Sequence, residues 1–481
     1  MNERDMVMSE TKRYLGLDIG TTSIKAAVFT KEGERLALRS VDYILDTDSS
    51  TGYIEFDAEK YVEMCKNVID ELSLECGKID ALSIDTQGET IIFTGDDGMP
   101  VYPAIVWLDN RAAEEADEIK ARFGNKRVYD VTGQPEITAG WPASKVLWMK
   151  KNKPDVFSKI TKIFMLEDYI MYRLTGNFVT EPTIQSSTIY YDVVEGKWWG
   201  EMLDFIGIDE SLLPKVVKSA SLVGEYKGIK VVSGMLDQIA GTLGAGVTDE
   251  TRISEMTGTI MAICVMTDKM PEYNPDSIIP CHLHAVDGKY CLILWSSTAG
   301  MALKWFKNNF AENFSFRELD ELAEKIAPGC DGLSMLPYFT GSTMPKYNPD
   351  ARAVFSGINL SHTRGHFARA IMEAIAFTLK QNLEYVGDSA IEEIRITGGG
   401  ASSPLWAGIK SNVTGKVLKT LSESETACLG SALAAAVGIG DFASLKEAVD
   451  SVVKTKKTYE PTGDDYTESY ANYVKLDKLL N

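Results

Sequence analysis

Tyr14-Leu-Gly-Leu-Asp18-Ile-Gly-Thr-Thr-Ser-Ile-Lys25-Ala-Ala-Val-Phe29 encloses a polar glycine turn between two short apolar runs. That pattern predicts a β-hairpin with the turn at Gly20, Thr21 and Thr22. Asp18 sets a carboxylate beside the N–H groups and hydroxyls of the turn, a combination suited to phosphoryl oxygens and to a hydrated Mg²⁺ that bridges them. Lys25 reaches a phosphate only if it faces a cleft. A hairpin whose Asp and Thr side chains satisfy their own backbone accounts for the same residues.

Related units lie further along. Glu255-Met-Thr-Gly-Thr-Ile-Met places Thr257, Gly258 and Thr259 in a second strand-turn-strand unit, and Glu393-Ile-Arg-Ile-Thr-Gly-Gly-Gly400-Ala-Ser-Ser ends a third strand in glycines. Asp237 follows the strand-like run Lys230-Val-Val-Ser-Gly-Met-Leu. A carboxylate there can accept the proton of a hydroxyl attacking a γ-phosphorus, and it reads equally as a helix N-cap. The recurrence implies a weak internal duplication, two α/β domains facing one another across a cleft. The small-residue run Gly241-Thr-Leu-Gly-Ala-Gly-Val247 marks a hinge and divides the chain into residues 1–249 and 250–481.

Between these units, Tyr61, Met64, Cys65, Val68, Ile69 and Leu72 recur at helical spacing behind Asp57, which predicts a helix over 57–72. Ile79–Ile84 reads as a buried strand running into the polar turn Asp85–Thr90. Helices are expected around Arg111–Phe123, Ser144–Lys151 and Glu167–Leu174.

The 481 residues suffice for two or three domains, and 44% hydrophobic content supplies their cores. The formal net charge of −20 argues against nucleic acid and anionic membranes as partners. Seven cysteines form no CxxC pair, which indicates a reducing, cytoplasmic setting. The polar and frayed opening segment has no apolar stretch of the signal-peptide kind, and no run reaches the ~18–20 apolar residues of a membrane span. No GxxxxGK[ST] loop and no GxGxxG turn occurs. His282-x-His284 lacks a third ligand for zinc. The six lysines between Lys145 and Lys162 read as a solvated strip.

The sequence resembles the FGGY family of carbohydrate kinases from Tyr14 to about Gly440. Gly140-Trp-Pro-Ala-Ser-Lys145-Val-Leu-Trp148-Met-Lys-Lys-Asn152 is similar to one family signature. Ala353-Val-Phe-Ser-Gly357-Ile, seven residues, then His366-Phe-Ala-Arg-Ala370-Ile-Met-Glu373 is similar to the other. The resemblance implies two actin-like (ribonuclease H-like) ATPase domains with ATP in the cleft. It implies Asp18 as the Mg²⁺-associated carboxylate, Gly20, Thr21 and Thr22 as the first phosphate loop, and Asp237 as the catalytic base. It further implies Thr257, Gly258 and Thr259 as the second phosphate loop, Gly300 and Lys304 near the nucleotide, and Gly399, Gly400 and Ala401 as the adenosine-binding turn.

Gln87, Gly88, Glu89, Trp107 and Gln238 are the candidate sugar contacts, Glu89 by hydrogen bonding to hydroxyls and Trp107 by stacking, with a core aromatic as the other reading of Trp107. Gly88 stands where glycerol kinases carry an arginine, which argues against glycerol and for a different or larger substrate. By analogy the substrate is a ketose such as xylulose, or a polyol, and the assembly is a monomer or the homodimer common in the family. The alternative is an actin-like ATPase that acts in assembly or as a chaperone without a sugar.

Overall fold

The computed structural model describes residues 11–344 and 346–480. Residues 1–10 of the polar opening segment, read above as frayed, lie outside the described residues. The predicted hairpin is present as strands β1 (Arg13–Ile19) and β2 (Ser23–Thr30), paired antiparallel with Asp18 opposite Lys25. It sits inside a six-stranded sheet with β3 (Arg35–Asp42), β4 (Ala81–Thr86), β5 (Leu222–Tyr226) and β6 (Ile229–Leu236), in the order β5-β6-β4-β1-β2-β3. Antiparallel pairing joins β1, β2 and β3, whereas β4 runs parallel to both β1 and β6.

The second half builds a seven-stranded sheet from β7 (Arg252–Thr257), β8 (Met261–Thr267), β9 (Cys281–Leu283), β10 (Tyr290–Ser296), β11 (Glu393–Thr397), β12 (Val417–Leu421) and β13 (Thr455–Tyr459). Its order is β9-β10-β8-β7-β11-β12-β13. Again the first three long strands β7, β8 and β10 are antiparallel, and β11 and β12 join β7 in parallel. The core order 3-2-1-4 of the first sheet therefore recurs with the same directions, and this is the duplication that the two Gly-Thr turns announced.

Alternation along β1 decides which of its residues face the cleft. Leu15, Leu17 and Ile19 are buried in one cluster with Tyr61, Cys65, Val68 and Leu72 of the helix Ala58–Cys76. Asp57 caps that helix, accepting the Glu59 N–H at 2.9 Å. The period of two turns Tyr14, Gly16 and Asp18 to the other face. There the helix Thr426–Gly438 of the second half crosses so closely that a Cβ on Gly16 would lie 1.8 Å from the Cys428 carbonyl oxygen.

A helix from each half thus lies between the sheets, Asp237–Gly244 and Thr426–Gly438. They touch through glycines: a Cβ on Gly244 would meet the Thr426 carbonyl at 1.8 Å, and one on Gly430 the Ala240 carbonyl at 2.0 Å. The small residues of 241–247, expected as a hinge, give this crossing its close approach, and residues 242–247 are buried.

A separate five-stranded sheet is inserted in the first half, formed by Asp46–Thr47, Ile54–Phe56, Ala104–Ile105, Ile91–Thr94 and Lys162–Met165. The helices expected in this region are present as Ala113–Thr132, Pro142–Asn152 and Leu166–Thr175. The insertion's core, which includes Ile91, Ile105, Val146 and Trp148, stands behind the loops at 87–90 and 106–109.

Candidate active site

Three parallel strands, β1, β4 and β6, end together and bring Asp18, Asp85 and Asp237 to one edge. Asp18 pairs with Asp85 in the sheet register, and Leu236 pairs with Thr86, so Asp237 is the next residue beyond that pair. Asp85 is fully buried and accepts the Ser431 hydroxyl at 2.5 Å from the helix Thr426–Gly438. Its other oxygen, Oδ1, has no hydrogen-bond partner among the described residues, and burial, with the Asp18 charge as the next cause, raises the carboxyl well above its ordinary range. Burial pushes Asp18 up to about 6, although Asp85 and the Lys25 ammonium act against the shift. Burial, with Asp18 as the next cause, raises Asp237 to about 8. Asp237 accepts the N–H of Gln238 at 2.6 Å. Lys25, offered as a phosphate contact, forms an ion pair with Glu425 at 2.8 Å.

The first Gly-Thr turn is braced from both sides. Gly20 donates its N–H to the Ser23 carbonyl at 3.0 Å, Tyr43 donates its hydroxyl to the Gly20 carbonyl, and Gln87 donates its N–H to Ile19. Trp107 is 38% exposed, which removes the core reading, and its indole N–H donates to the Thr21 hydroxyl at 3.0 Å. Gln87 is buried; its amide nitrogen donates to the Tyr61 hydroxyl at 3.4 Å, while Oε1 has no partner. Glu89 holds a left-handed backbone at φ 54°, a conformation that a side chain adopts only when its surroundings enforce it.

Lys145 supplies that enforcement. Its ammonium is fully buried and donates to the carbonyls of Glu89 at 2.9 Å and Val106 at 3.0 Å, so one side chain fixes the loops of both Glu89 and Trp107. Burial pushes Lys145 down and Glu89 up, and each opposes the shift of the other. Lys145 accordingly leaves the solvated strip to which the sequence assigned it, whereas Lys150, Lys151, Lys153 and Lys159 are exposed. At Gly88 a Cβ would lie 3.1 Å from both Leu236 and the Ser187 hydroxyl, so those two side chains line the loop at this position.

In the second half a cavity of about 650 Å³ is lined by Thr257, Gly258, Thr259, Gly300, Lys304, Gly399 and Gly400, all candidates from the sequence. Glycine is required here by close approach: a Cβ on Gly300 would stand 2.4 Å from the Gly258 carbonyl, and one on Gly400 would stand 2.5 Å from the Thr257 side chain. Met301, Phe316, Pro404 and Trp406 add apolar wall, and Arg317 adds a second cation beside Lys304. Ala401 packs against the core of this half instead of lining the cavity. His282 and His284 are buried, and burial holds both imidazoles well below their ordinary range. Among the described residues no group of three His, Cys, Asp or Glu side chains forms a metal cage.

A carboxylate edge and Gly-Thr turns on duplicated sheets do not by themselves fix a reaction, and comparison with known proteins decides it. The N-terminal domain of the FGGY family of carbohydrate kinases matches residues 13–256, and its C-terminal domain matches residues 263–439. The chain belongs to the FGGY family of carbohydrate kinases. It is 29% identical over 461 residues to the xylulose kinase of Lactococcus lactis subsp. lactis, covering 92% of this chain and 91% of that protein. The ligand-bound xylulose kinase of Lactobacillus acidophilus superposes with a TM-score of 0.89 at 25% identity, over 98% of each chain. The gluconate kinase of the same organism gives 0.89 at 26% identity, again over 98% of each chain.

This carbohydrate kinase has the expected α/β fold of two actin-like (ribonuclease H-like) ATPase domains, and it transfers a phosphoryl group to a sugar hydroxyl. An assembly ATPase without a sugar is not favoured. No described helix is long and apolar enough to cross a membrane. Two residues that the structure places beside the candidate site were not candidates from the sequence, Asp85 and Lys145. Asp85 stood in plain view at the end of an apolar run, and the signal that finds it is its parallel register with Asp18.

Proposed function

We propose that this kinase phosphorylates a hydroxyl of a ketose, xylulose being the first choice, and that Asp237 takes the hydroxyl proton as the oxygen attacks the γ-phosphorus of ATP. The observation that carries the reading is the placing of Asp237, which begins a helix at the strand edge that also holds Asp18, with Glu89 in electrostatic range. Its raised pKa suits a group that must accept a proton near neutrality. The cavity lined by Thr257, Gly258, Thr259, Gly300, Lys304, Gly399 and Gly400 receives the nucleotide, with backbone N–H groups donating to phosphates and the flat glycine turn against the adenosine. Gln87, Glu89, Trp107 and Gln238 hold the sugar, and the partnerless Oε1 of Gln87 offers an acceptor to a hydroxyl. The 29% identity to the xylulose kinase of Lactococcus lactis subsp. lactis supports that choice.

The residues also fit Mg²⁺. The Asp18 charge adds to burial in raising Asp85, and a divalent cation would relieve that repulsion; Asp18 would hold it, with Asp85 behind. Among the described residues no group of three ligands forms, and Mg²⁺ would keep waters and phosphate oxygens as its other ligands. When bound, Mg²⁺ supplies charge neutralisation for the phosphates. We place the domain division at 249/250, after the crossing helix. The seven thiols, all free, support a cytoplasmic setting, and sedimentation decides between the homodimer and the monomer.

A coupled ADP-release screen over trioses to heptuloses, polyols and aldonates tests the proposal. We expect sugar-dependent turnover with the highest kcat/KM on a ketose. Equal ADP release with and without any sugar would contradict it.

A further inference from the structure

Beneath the second phosphate loop lies an ion pair that the reaction as described does not use. Lys410, on the helix Pro404–Thr414, is 1% exposed, and Glu255, on β7, is fully buried. The Lys410 ammonium donates to Glu255 Oε2 at 2.7 Å and to the Thr257 hydroxyl at 2.6 Å, and that hydroxyl in turn donates to Glu255 Oε1. The ammonium also stands 5.4 Å from the ring centroid of Trp406, which walls the nucleotide cavity.

Taking both charges out of water costs several kcal/mol, and apolar residues of similar volume often fill such a site at no loss of stability. The pair is therefore poorly explained as a source of stability, and its geometry offers another role. Thr257 ends the strand that delivers the phosphate loop, and its hydroxyl is engaged internally, so it has no free proton for a ligand. Its methyl side faces Gly400, where a Cβ would come within 2.5 Å, and its carbonyl faces Gly398 at 2.7 Å from the corresponding Cβ position. The ammonium thus grips a side chain that stands between the phosphate loop and the Gly399–Ser403 turn, and it does so from the helix that follows that turn.

We propose that Lys410 and Glu255 are positioning residues for the nucleotide, acting through Thr257 to fix the distance between the phosphate loop at 257–259 and the glycine turn at 398–403. The inference rests on the assignment of this cavity to ATP. It concerns affinity for the nucleotide and not for the sugar, whose candidate contacts lie in the other half.

The test is the double variant Lys410→Met, Glu255→Met, which replaces both charges together, alongside Thr257→Val, which removes the shared hydroxyl and keeps the contact with Gly400. KM is measured for ATP and for sugar, with the ADP-induced rise in Tm as a readout independent of turnover. Both variants are expected to fold, to raise KM for ATP about tenfold through loss of charge-assisted hydrogen bonds, to lose most of the ADP-induced rise, and to keep the wild-type sugar KM. A folded double variant with wild-type KM for ATP would overturn the inference and leave the kinase reading intact. A wild-type protein whose Tm does not respond to ADP would overturn the cavity assignment itself. Should the double variant not fold, Thr257→Val decides alone, and an unchanged KM for ATP there overturns the inference.

Discussion

Asp237 is under two opposing demands. In the fold its pKa is about 8 against an ordinary 3.8, because burial and the Asp18 charge disfavour the anion. The folded protein therefore keeps a proton that the unfolded chain releases, so this group lowers stability as pH rises from about 4 to about 8. Asp18, raised to about 6, adds to the loss between about 4 and 6. Asp237→Asn should raise Tm at pH 8 and leave it nearly unchanged at pH 4, as read by thermal scans at both pH values. For the base itself, kcat/KM of the wild type should climb with pH up to about 8 as the carboxyl loses its proton. Lys145→Met strands two buried carbonyls, each at about 1–3 kcal/mol. A lower urea midpoint and a higher sugar KM, with KM for ATP unchanged, are expected. Asp18 and Asp237 could be found in the sequence because each stands at a local strand-to-turn junction. Lys145 could not, since its helix carries lysines on its other face as well and only the fold shows which one points inward.

At the scale of elements, periodicity was a reliable guide wherever a segment was long. The hairpin at Gly20 and the helix behind Asp57 follow directly from alternation and 3.6-residue spacing. The five-stranded insertion did not, because strands such as Asp46–Thr47 and Ala104–Ile105 are too short to show a period. The glycines at 241–246 were legible as small but not as a helix crossing, whose partner lies nearly two hundred residues away. That crossing is testable. Gly16→Ala places a Cβ 1.8 Å from a backbone carbonyl, an overpacking that costs about 1–3 kcal/mol or more. A reduced urea midpoint is expected, and a wild-type midpoint would show that the contact is looser than described.

For the whole molecule, a charge of −20 coexists with phosphate chemistry because the candidate phosphate-binding groups are mainly backbone N–H groups on two Gly-Thr turns, which need no basic surface. With Asp237 as the proposed base, water must be kept from it while ATP is bound, or it would serve hydrolysis as well. Sugar plus nucleotide should therefore compact the protein in small-angle scattering, more than either alone. The central claim is that Asp237 acts as the base in transfer to a sugar hydroxyl. Its most direct test is single-turnover transfer of labelled γ-phosphate to a ketose by wild type and by Asp237→Asn, with ATP binding measured on both. The account predicts sugar phosphate from the wild type, a loss of about 10²-fold or more in the variant, and equal ATP binding. A variant that transfers phosphate at the wild-type rate would contradict it.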